Sequence, residues 1–300
     1  MVLDLLSRIA GTVFPLFALV AVGVVFARRT RPVLDDINRA NMDIFAPALV
    51  FTILVAGDFT LFEMAPLATA TVLCVGLCAA AAAAVAWGTG LDTRVLVLAT
   101  TFRNSGNIGL PLAVLAYGDA ALPAATVVFL SGNLVHFLVG ARLLRGAHRG
   151  RDVLAVPVVW VSLLALAIKA AGVPMPAVVM TPIGMLGDIV IPLMLFALGV
   201  RLNDADLSEW RVGVIAGVAM PLTGALAYLL STPWFDLEPY QAAALLAYAV
   251  LPSAVLNFMF AERYGYKPAQ VASIIVISHA VALLTLPLML AWSLTHIVPL

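Results

Sequence analysis

Residues 64–88, MAPLATATVLCVGLCAAAAAAVAWG, carry no charged side chain, and similar apolar runs recur along the whole chain. A helix of about 20 apolar residues spans the ~30 Å hydrocarbon core of a bilayer. Such runs lie near residues 8–28, 34–57, 64–88, 94–117, 122–143, 153–172, 180–200, 209–231, 238–263 and 268–293. Backbone groups in lipid must be satisfied within the segment, so these runs are read as helices. The bulk numbers agree. The chain is 63% hydrophobic and 11% charged, where a soluble domain has roughly 45–50% and 25%. Sixteen basic and sixteen acidic residues in 300 cannot coat a globule of this size. A water-soluble enzyme and a disordered chain are both excluded. The expected fold class is an all-α integral membrane protein with ten transmembrane helices.

The positions of the charges set the orientation. The odd-numbered connections and the helix ends beside them hold Arg28, Arg29, Arg31, Arg39, Arg94, Arg142, Arg145, Arg149, Arg151, Arg201, Arg211, Arg263 and Lys267. The even-numbered side holds only Arg8 and Lys169. By the positive-inside rule the odd connections are cytoplasmic, and both termini are expected outside the cytoplasm in a multi-pass cell (inner) membrane protein. Ile9–Ala27 is longer than a typical signal-peptide core and ends in FARRT without a small-residue cleavage site, so it reads as the first span. The zero net charge gives no steering toward nucleic acid. Cys74 and Cys78 lie at i, i+4 on one helix face and read as small packing residues, since two thiols alone make a poor metal site. Gly213 and Gly217 form a small-xxx-small pair that permits close helix approach, and with it a homodimer.

The chain repeats itself. Asp43, Ile44, Pro47 and Phe51 of MDIFAPALVF recur as Asp188, Ile189, Pro192 and Phe196 of GDIVIPLMLF, at a constant offset of 145. More weakly, the fifth span's FLS, ending at Ser131, echoes the tenth span's VIS, ending at Ser278. Five spans separate the copies, so the halves have opposite topology, the inverted-repeat plan of many secondary transporters. Residues 1–145 form the first five-helix repeat, 146–152 a basic cytoplasmic linker and 153–300 the second repeat. In such folds the substrate site lies near the midplane, where discontinuous helices of the two halves approach.

The fourth and ninth spans have the composition of discontinuous helices. TTFRNSGNIGLPL places Arg103, Asn104, Ser105, Gly106, Asn107, Gly109 and Pro111 near the middle of the fourth. Glycine and proline there make a poor continuous helix. The ninth span is interrupted in AVLPSAVLNF by Pro252, Ser253 and Asn257. Broken backbone at this depth survives only where protein or a wet cavity supplies its hydrogen bonds. The expectation is a crossed pair of broken helices; two kinked packing helices are the alternative.

The stretch NSGNIGLPL resembles the fourth-helix motif of the auxin efflux carrier family. LPSAVLNFMFAERYGYKPAQVASIIVISHAVALLTLPL is similar to that family's C-terminal signature: a Pro-Ser/Ala-Asn helix, an Ala-Glu-x-Tyr-Gly turn and a last helix ending in Leu-Pro. The resemblance covers the whole chain. It implies two inverted five-helix repeats, a fold shared with bile acid–sodium symporter homologues, and secondary transport of small organic anions. Plant members carry auxin, and some bacterial relatives are assigned to malonate or malate. This chain lacks the long central cytoplasmic loop of many plant members.

Several polar residues inside the spans need explaining. A central arginine costs ~2.5–3.5 kcal/mol on insertion scales and needs a partner or an aqueous cavity. Arg103 either binds the carboxylate of a substrate with its planar fork or pairs permanently with Asp43 or Asp188. Asn104, Ser105, Asn107, Ser253 and Asn257 are neutral donors that either hold a carboxylate with the half-helix N-termini or satisfy freed carbonyls. Asp43 and Asp188 are candidates for proton coupling or for ion pairing. His136 and His279 read as a proton relay or as hydrogen-bonded packing residues. The chain has no H-E-x-x-H, G-x-S-x-G or P-loop signature, so an intramembrane enzyme is the weaker function class, and no cofactor is expected. A sodium-coupled carrier is a third reading. It is disfavoured because the bile acid relatives use an acidic residue and glutamines at the ninth-helix crossover, where this chain has YAVLPSAVLN. The preferred reading is a carrier of small carboxylates working by alternating access in the lipid bilayer.

Overall fold

The computed structural model describes residues 2–57, 59–145, 157–203 and 207–298. Among them every named element is a helix, and one isolated bridge pairs two extended residues. In chain order the α-helices are α1 (Val2–Thr30), α2 (Asp35–Ala40), α3 (Ala46–Ala56), α4 (Leu61–Thr89), α5 (Thr93–Thr101), α6 (Leu110–Tyr117), α7 (Leu122–Val135), α8 (Ala141–Arg145), α9 (Pro157–Ala170), α10 (Ala177–Asp188), α11 (Val190–Asn203), α12 (Trp210–Ser231), α13 (Pro239–Val250), α14 (Leu256–Arg263) and α15 (Pro268–His296). Wide π-turns join α2 to α3 (Asn41–Phe45), lead into α6 (Ser105–Gly109) and join α7 to α8 (His136–Gly140).

Among the described residues seven stretches are long and apolar enough to cross a membrane: Leu3–Thr30, Asp36–Ala56, Phe62–Thr89, Asp119–Leu144, Ala177–Asn203, Trp210–Trp234 and Pro268–His296. They correspond to the first, second, third, fifth, seventh, eighth and tenth expected spans. The protein is therefore a helical multi-pass membrane protein. The fourth and ninth expected spans are each two shorter helices around a break. The sixth is represented by α9, and its expected start and the basic linker 146–152 fall outside the described residues. Phe62, Trp87, Val178 and Leu284 are among the strongly exposed large apolar side chains, which suits lipid and not water.

Proline spacing explains two of the irregularities. Pro47 has no N–H to give the carbonyl of Asp43, and Pro192 none for that of Asp188. The first helix answers with the π-turn Asn41–Phe45 and the second with the break between α10 and α11. Both members of the repeated Asp-x-x-x-Pro pair thus mark a helix distortion.

The chain forms two compact units, each drawing on both halves of the sequence. One comprises residues 16–65 and 149–203. Its helices approach through glycine. A Cβ on Gly23 of α1 would strike the carbonyl oxygen of Phe196, and one on Gly199 of α11 the carbonyl oxygen of Val20. At Gly187 of α10 a Cβ would lie 2.9 Å from the Cα of Leu49 in α3. The ammonium of Lys169 caps this unit by donating to the Gly57 carbonyl above the ring of Phe59.

The other unit comprises residues 1–15, 66–148 and 204–300. Here α12 packs along α15, and the Gly213/Gly217 pair serves that contact. A Cβ on Gly213 would lie 2.7 Å from the Ser273 oxygen, and one on Gly217 3.2 Å from the Ser278 nitrogen. The small-xxx-small face is thus occupied by the chain's own α15. The carboxylate of Asp92 accepts from the amides of Arg94 and Val95 to start α5, and a Glu238/Gln241 capping box starts α13. Both broken spans lie in this unit.

Candidate functional site

The two breaks are short and extended. Helix α5 ends at Thr101, Phe102 adopts φ −89° and ψ 112°, and helix resumes at Ser105. Helix α13 ends at Val250, and Leu251, at φ −58° and ψ 152°, turns the chain away. Proline at 252 disfavours the helical region for the residue before it. Helix returns at Leu256. The first break is narrower than the sequence suggests, because Gly106, Asn107 and Gly109 are already inside the π-turn. The missing N–H of Pro111 would have served the carbonyl of Asn107, and the π-turn absorbs that loss.

The two extended segments pair as an antiparallel bridge centred on Arg103 and Ser253. The amide of Asn104 donates to the Pro252 carbonyl at 2.8 Å, and the amide of Ala254 to the Phe102 carbonyl at 3.0 Å. The amide of Ser253 donates to Ser278 Oγ of α15 at 3.1 Å. Main-chain groups released by the two breaks thus find partners without water, the condition for irregular backbone at this depth.

Arg103 is 3% exposed. Its Nη1 donates to the carbonyl of Leu251, the residue just after α13, at 3.2 Å, and its Nη2 to the Met220 carbonyl of α12 at 3.1 Å. Nη2 also lies 3.7 Å from Cys78 Sγ, and Nε has no hydrogen-bond partner. The guanidinium is therefore held by carbonyls and a thiol of its own unit. Asp43 faces Arg39 one turn away at 3.6 Å, with its side chain 45% exposed, and Asp188 is exposed at the end of α10. The proline–aspartate spacing explains why those positions repeat.

The neutral residues gather around the bridge. Asn104 Oδ1 accepts from the Asn107 amide at 3.3 Å and so caps the helix Ser105–Tyr117. Asn104 Nδ2 lies 3.1 Å from His279 Nε2. Ser105, buried, opens that helix. Asn257, fully buried, donates from Nδ2 to the Phe102 carbonyl and to Ser253 Oγ, both at 3.0 Å. The imidazole of His136 lies flat on the ring of Phe102, with centroids 4.1 Å apart and planes 6° apart. His279 and His136 thus touch the break, one through Asn104 and the other through Phe102. Arg103, Asn104, Ser105, Asn107, Pro252, Ser253, Asn257, His136 and His279 lie in one unit; Asp43 and Asp188 lie in the other.

Three neighbours carry little signal in the sequence. Cys78 reads as packing and is a contact of Arg103. Gly224 of α12 leaves no room for a Cβ, which would strike the Ala249 carbonyl and sit 3.1 Å from Arg103 Nη2. Nothing in the local pattern marks that glycine. Ser278, marked in the sequence only as an echo of Ser131, receives the Ser253 amide.

A family model described as "Membrane transport protein" matches residues 150–290. A Rhizobium meliloti (strain 1021) protein named "Putative malonate transporter" is 23% identical, over 93% of this chain and 94% of its own length. A Methanothermobacter thermautotrophicus protein named "Uncharacterized transporter" is 27% identical, over 86% of this chain and 88% of its own length. A similarly named protein of Methanocaldococcus jannaschii is 24% identical over 64% of this chain and 66% of its own length.

Proposed function

From the premise that this chain belongs to the membrane transport protein family, that of the auxin efflux carriers, we propose that it is a secondary carrier of small organic anions. It works by alternating access, and its substrates are carboxylates of the malonate, malate or auxin type. The relative named for malonate supports the class. The observation that carries the reading is Arg103. This guanidinium is buried among carbonyls, with no carboxylate among the described residues in its hydrogen-bond shell. A substrate carboxylate at the crossover supplies that counter-charge. Asn104, Ser105, Asn107, Ser253 and Asn257 provide neutral donors, with the positive end of the helix Ser105–Tyr117 beside them.

The architecture proposed for this carrier is ten spans in two inverted five-helix repeats, residues 1–145 and 153–300 joined by the basic linker 146–152. Its fourth and ninth helices are broken and crossed, and both termini lie outside the cytoplasm. The repeated Asp-x-x-x-Pro distortion and the paired breaks support it. Asp43 and Asp188 then occupy matching places in the two repeats as ion-pairing or coupling residues.

The test is uptake of radiolabelled malonate and other carboxylates into proteoliposomes at a clamped membrane potential, with and without sodium. Uptake of the unchanged acid without sodium is expected. Arg103→Gln should lose anion binding; a folded Arg103→Gln protein with unaltered affinity refutes the contact with substrate, and conversion of the acid refutes the carrier.

A further inference from the structure

His279 is buried on α15, where its ring makes two polar contacts. Nδ1 lies 2.7 Å from the Ile275 carbonyl, and Nε2 lies 3.1 Å from Asn104 Nδ2. A carbonyl only accepts, so Nδ1 carries the ring proton and Nε2 offers a lone pair. Asn104 must then present its NH2 group to the ring, which points its Oδ1 at the Asn107 amide, the observed cap. One protonation state satisfies the whole chain Ile275–His279–Asn104–Asn107. It is the neutral one.

We propose that His279 and Asn104 form a proton-operated switch that couples proton uptake to anion binding at the crossover, an inference that rests on the carrier reading above. A second proton on Nε2 sets donor against donor at Asn104. The carboxamide turns over about its Cβ–Cγ bond and presents Oδ1 to the imidazolium. Its NH2 group then faces the Asn107 amide, which loses its acceptor. The backbone of Asn104 stays in place, because its own amide is held by the Pro252 carbonyl. Two donors, Asn104 Nδ2 and the Asn107 N–H, are thereby released at the start of the helix Ser105–Tyr117. Both suit a carboxylate, and the imidazolium adds positive charge near Arg103. The proton comes from solvent and returns to it; no covalent bond forms or breaks. By linkage, anion and proton each favour the binding of the other.

The surroundings leave His279 without a competing counter-ion. On the helices packed against α15, Arg94 of α5 lies over Tyr266, and Arg211 of α12 over Trp210. Tyr228 of α12 meets Trp292. Tyr248 of α13 donates to the Thr101 carbonyl, while Tyr240 of α13 and Glu262 of α14 are exposed. At the break itself the charged group is Arg103, with Cys78 behind it. Among the described side chains, no carboxylate faces the imidazole from these elements, so the incoming anion is the partner left to it.

The experiment uses the full chain in lipid nanodiscs with malonate as probe, between about pH 6.5 and 8.5, where simple carboxylates stay ionised. Wild-type affinity should weaken toward about tenfold for each pH unit of rise, the limit for one linked proton. His279→Gln keeps an acceptor for Asn104 but takes up no proton. It should hold the weak alkaline affinity at every pH. Affinity flat with pH in the wild type, or equally steep in His279→Gln, overturns the switch. Histidine- and asparagine-selective nitrogen-15 spectra without ligand give a second readout. If no carboxylate binds at any pH, the carrier reading fails. The switch is then upheld by concerted movement of the His279 ring and Asn107 amide signals, and overturned if either stays fixed while the other moves or if neither moves.

Discussion

The ammonium of Lys267 lies 2.8 Å from the carboxylate of Asp92, so one side chain holds together the start of α5 and the turn before α15. Tyr266 Oη donates to the same carboxylate at 3.0 Å. Partial burial pushes the Asp92 pKa up, but the bonds from Lys267, the Val95 amide and Tyr266 outweigh it and hold the group below its ordinary range. The bond to Asp92 raises that of Lys267. The depressed carboxylate stabilises the fold above its unfolded pKa, and that contribution fades as pH falls through the folded value. The raised ammonium stabilises below its unfolded pKa and loses its contribution as pH rises through the folded value. The latch is therefore complete between about pH 4 and pH 10. Asp92→Ala should cost about 0.5–2 kcal/mol, because it removes a helix cap. Asp92→Asn keeps a capping oxygen and should cost under about 1 kcal/mol, the worth of a partly exposed ion pair. Chemical denaturation at neutral pH and well below pH 4, beneath the depressed folded value of the carboxylate, measures both, and the two variants should converge with wild type at the acid end only in the ionic part.

The proposed carrier reading gives Arg103 two separable roles, holding carbonyls and binding the anion, which lysine and glutamine tell apart. Arg103→Lys keeps the charge but has no fork to span the Leu251 and Met220 carbonyls. Leaving a buried carbonyl without a donor costs about 1–3 kcal/mol. Arg103→Lys should thus melt earlier while retaining measurable malonate binding, whereas Arg103→Gln should lose stability and binding together. Thermal unfolding in detergent, run beside equilibrium binding, gives both numbers on one preparation.

At Gly224 the backbone of α12 passes too close to Ala249 for any side chain. Gly224→Ala forces α12 and α13 apart, at a cost of about 1–3 kcal/mol typical of overpacking. The shift should also carry the Met220 carbonyl away from Arg103 and weaken anion affinity. Gly76→Ala, in α4 with nothing within 4 Å of the added carbon, should do neither.

The orientation can be read with thiol reagents, since both native cysteines are buried. Thr89, Asp119, Asp236 and Glu262 are exposed in connections or at helix ends. Cysteines at 89 and 262 should react only with reagent supplied on the cytoplasmic side, and those at 119 and 236 only from outside. Any mixed pattern breaks the proposed topology of the two repeats.

Much of the fold was legible because hydrophobic length and proline position act locally. The uninterrupted α4 follows from the charge-free run 64–88 that makes up most of it, and both helix breaks fall beside the Asn-Ser-Gly and Pro-Ser residues that predicted them. Contacts of Arg103 were not legible. Sequence shows that a buried arginine needs partners, and carboxylates are the obvious ones, but backbone carbonyls carry no signature of their own. The same holds for Gly224, whose need for a bare backbone arises only once Ala249 passes beside it. The pairing of His279 with Asn104 joins residues 175 positions apart, a distance at which no periodicity speaks.

The junction between Phe102–Asn104 and Pro252–Ala254 is tied by peptide groups. A peptide group is the same under nearly every side chain, so the tie is blind to most mutations. Descendants of one ancestral chain can exchange the residues around it and acquire different cargoes while the scaffold that presents them stays fixed.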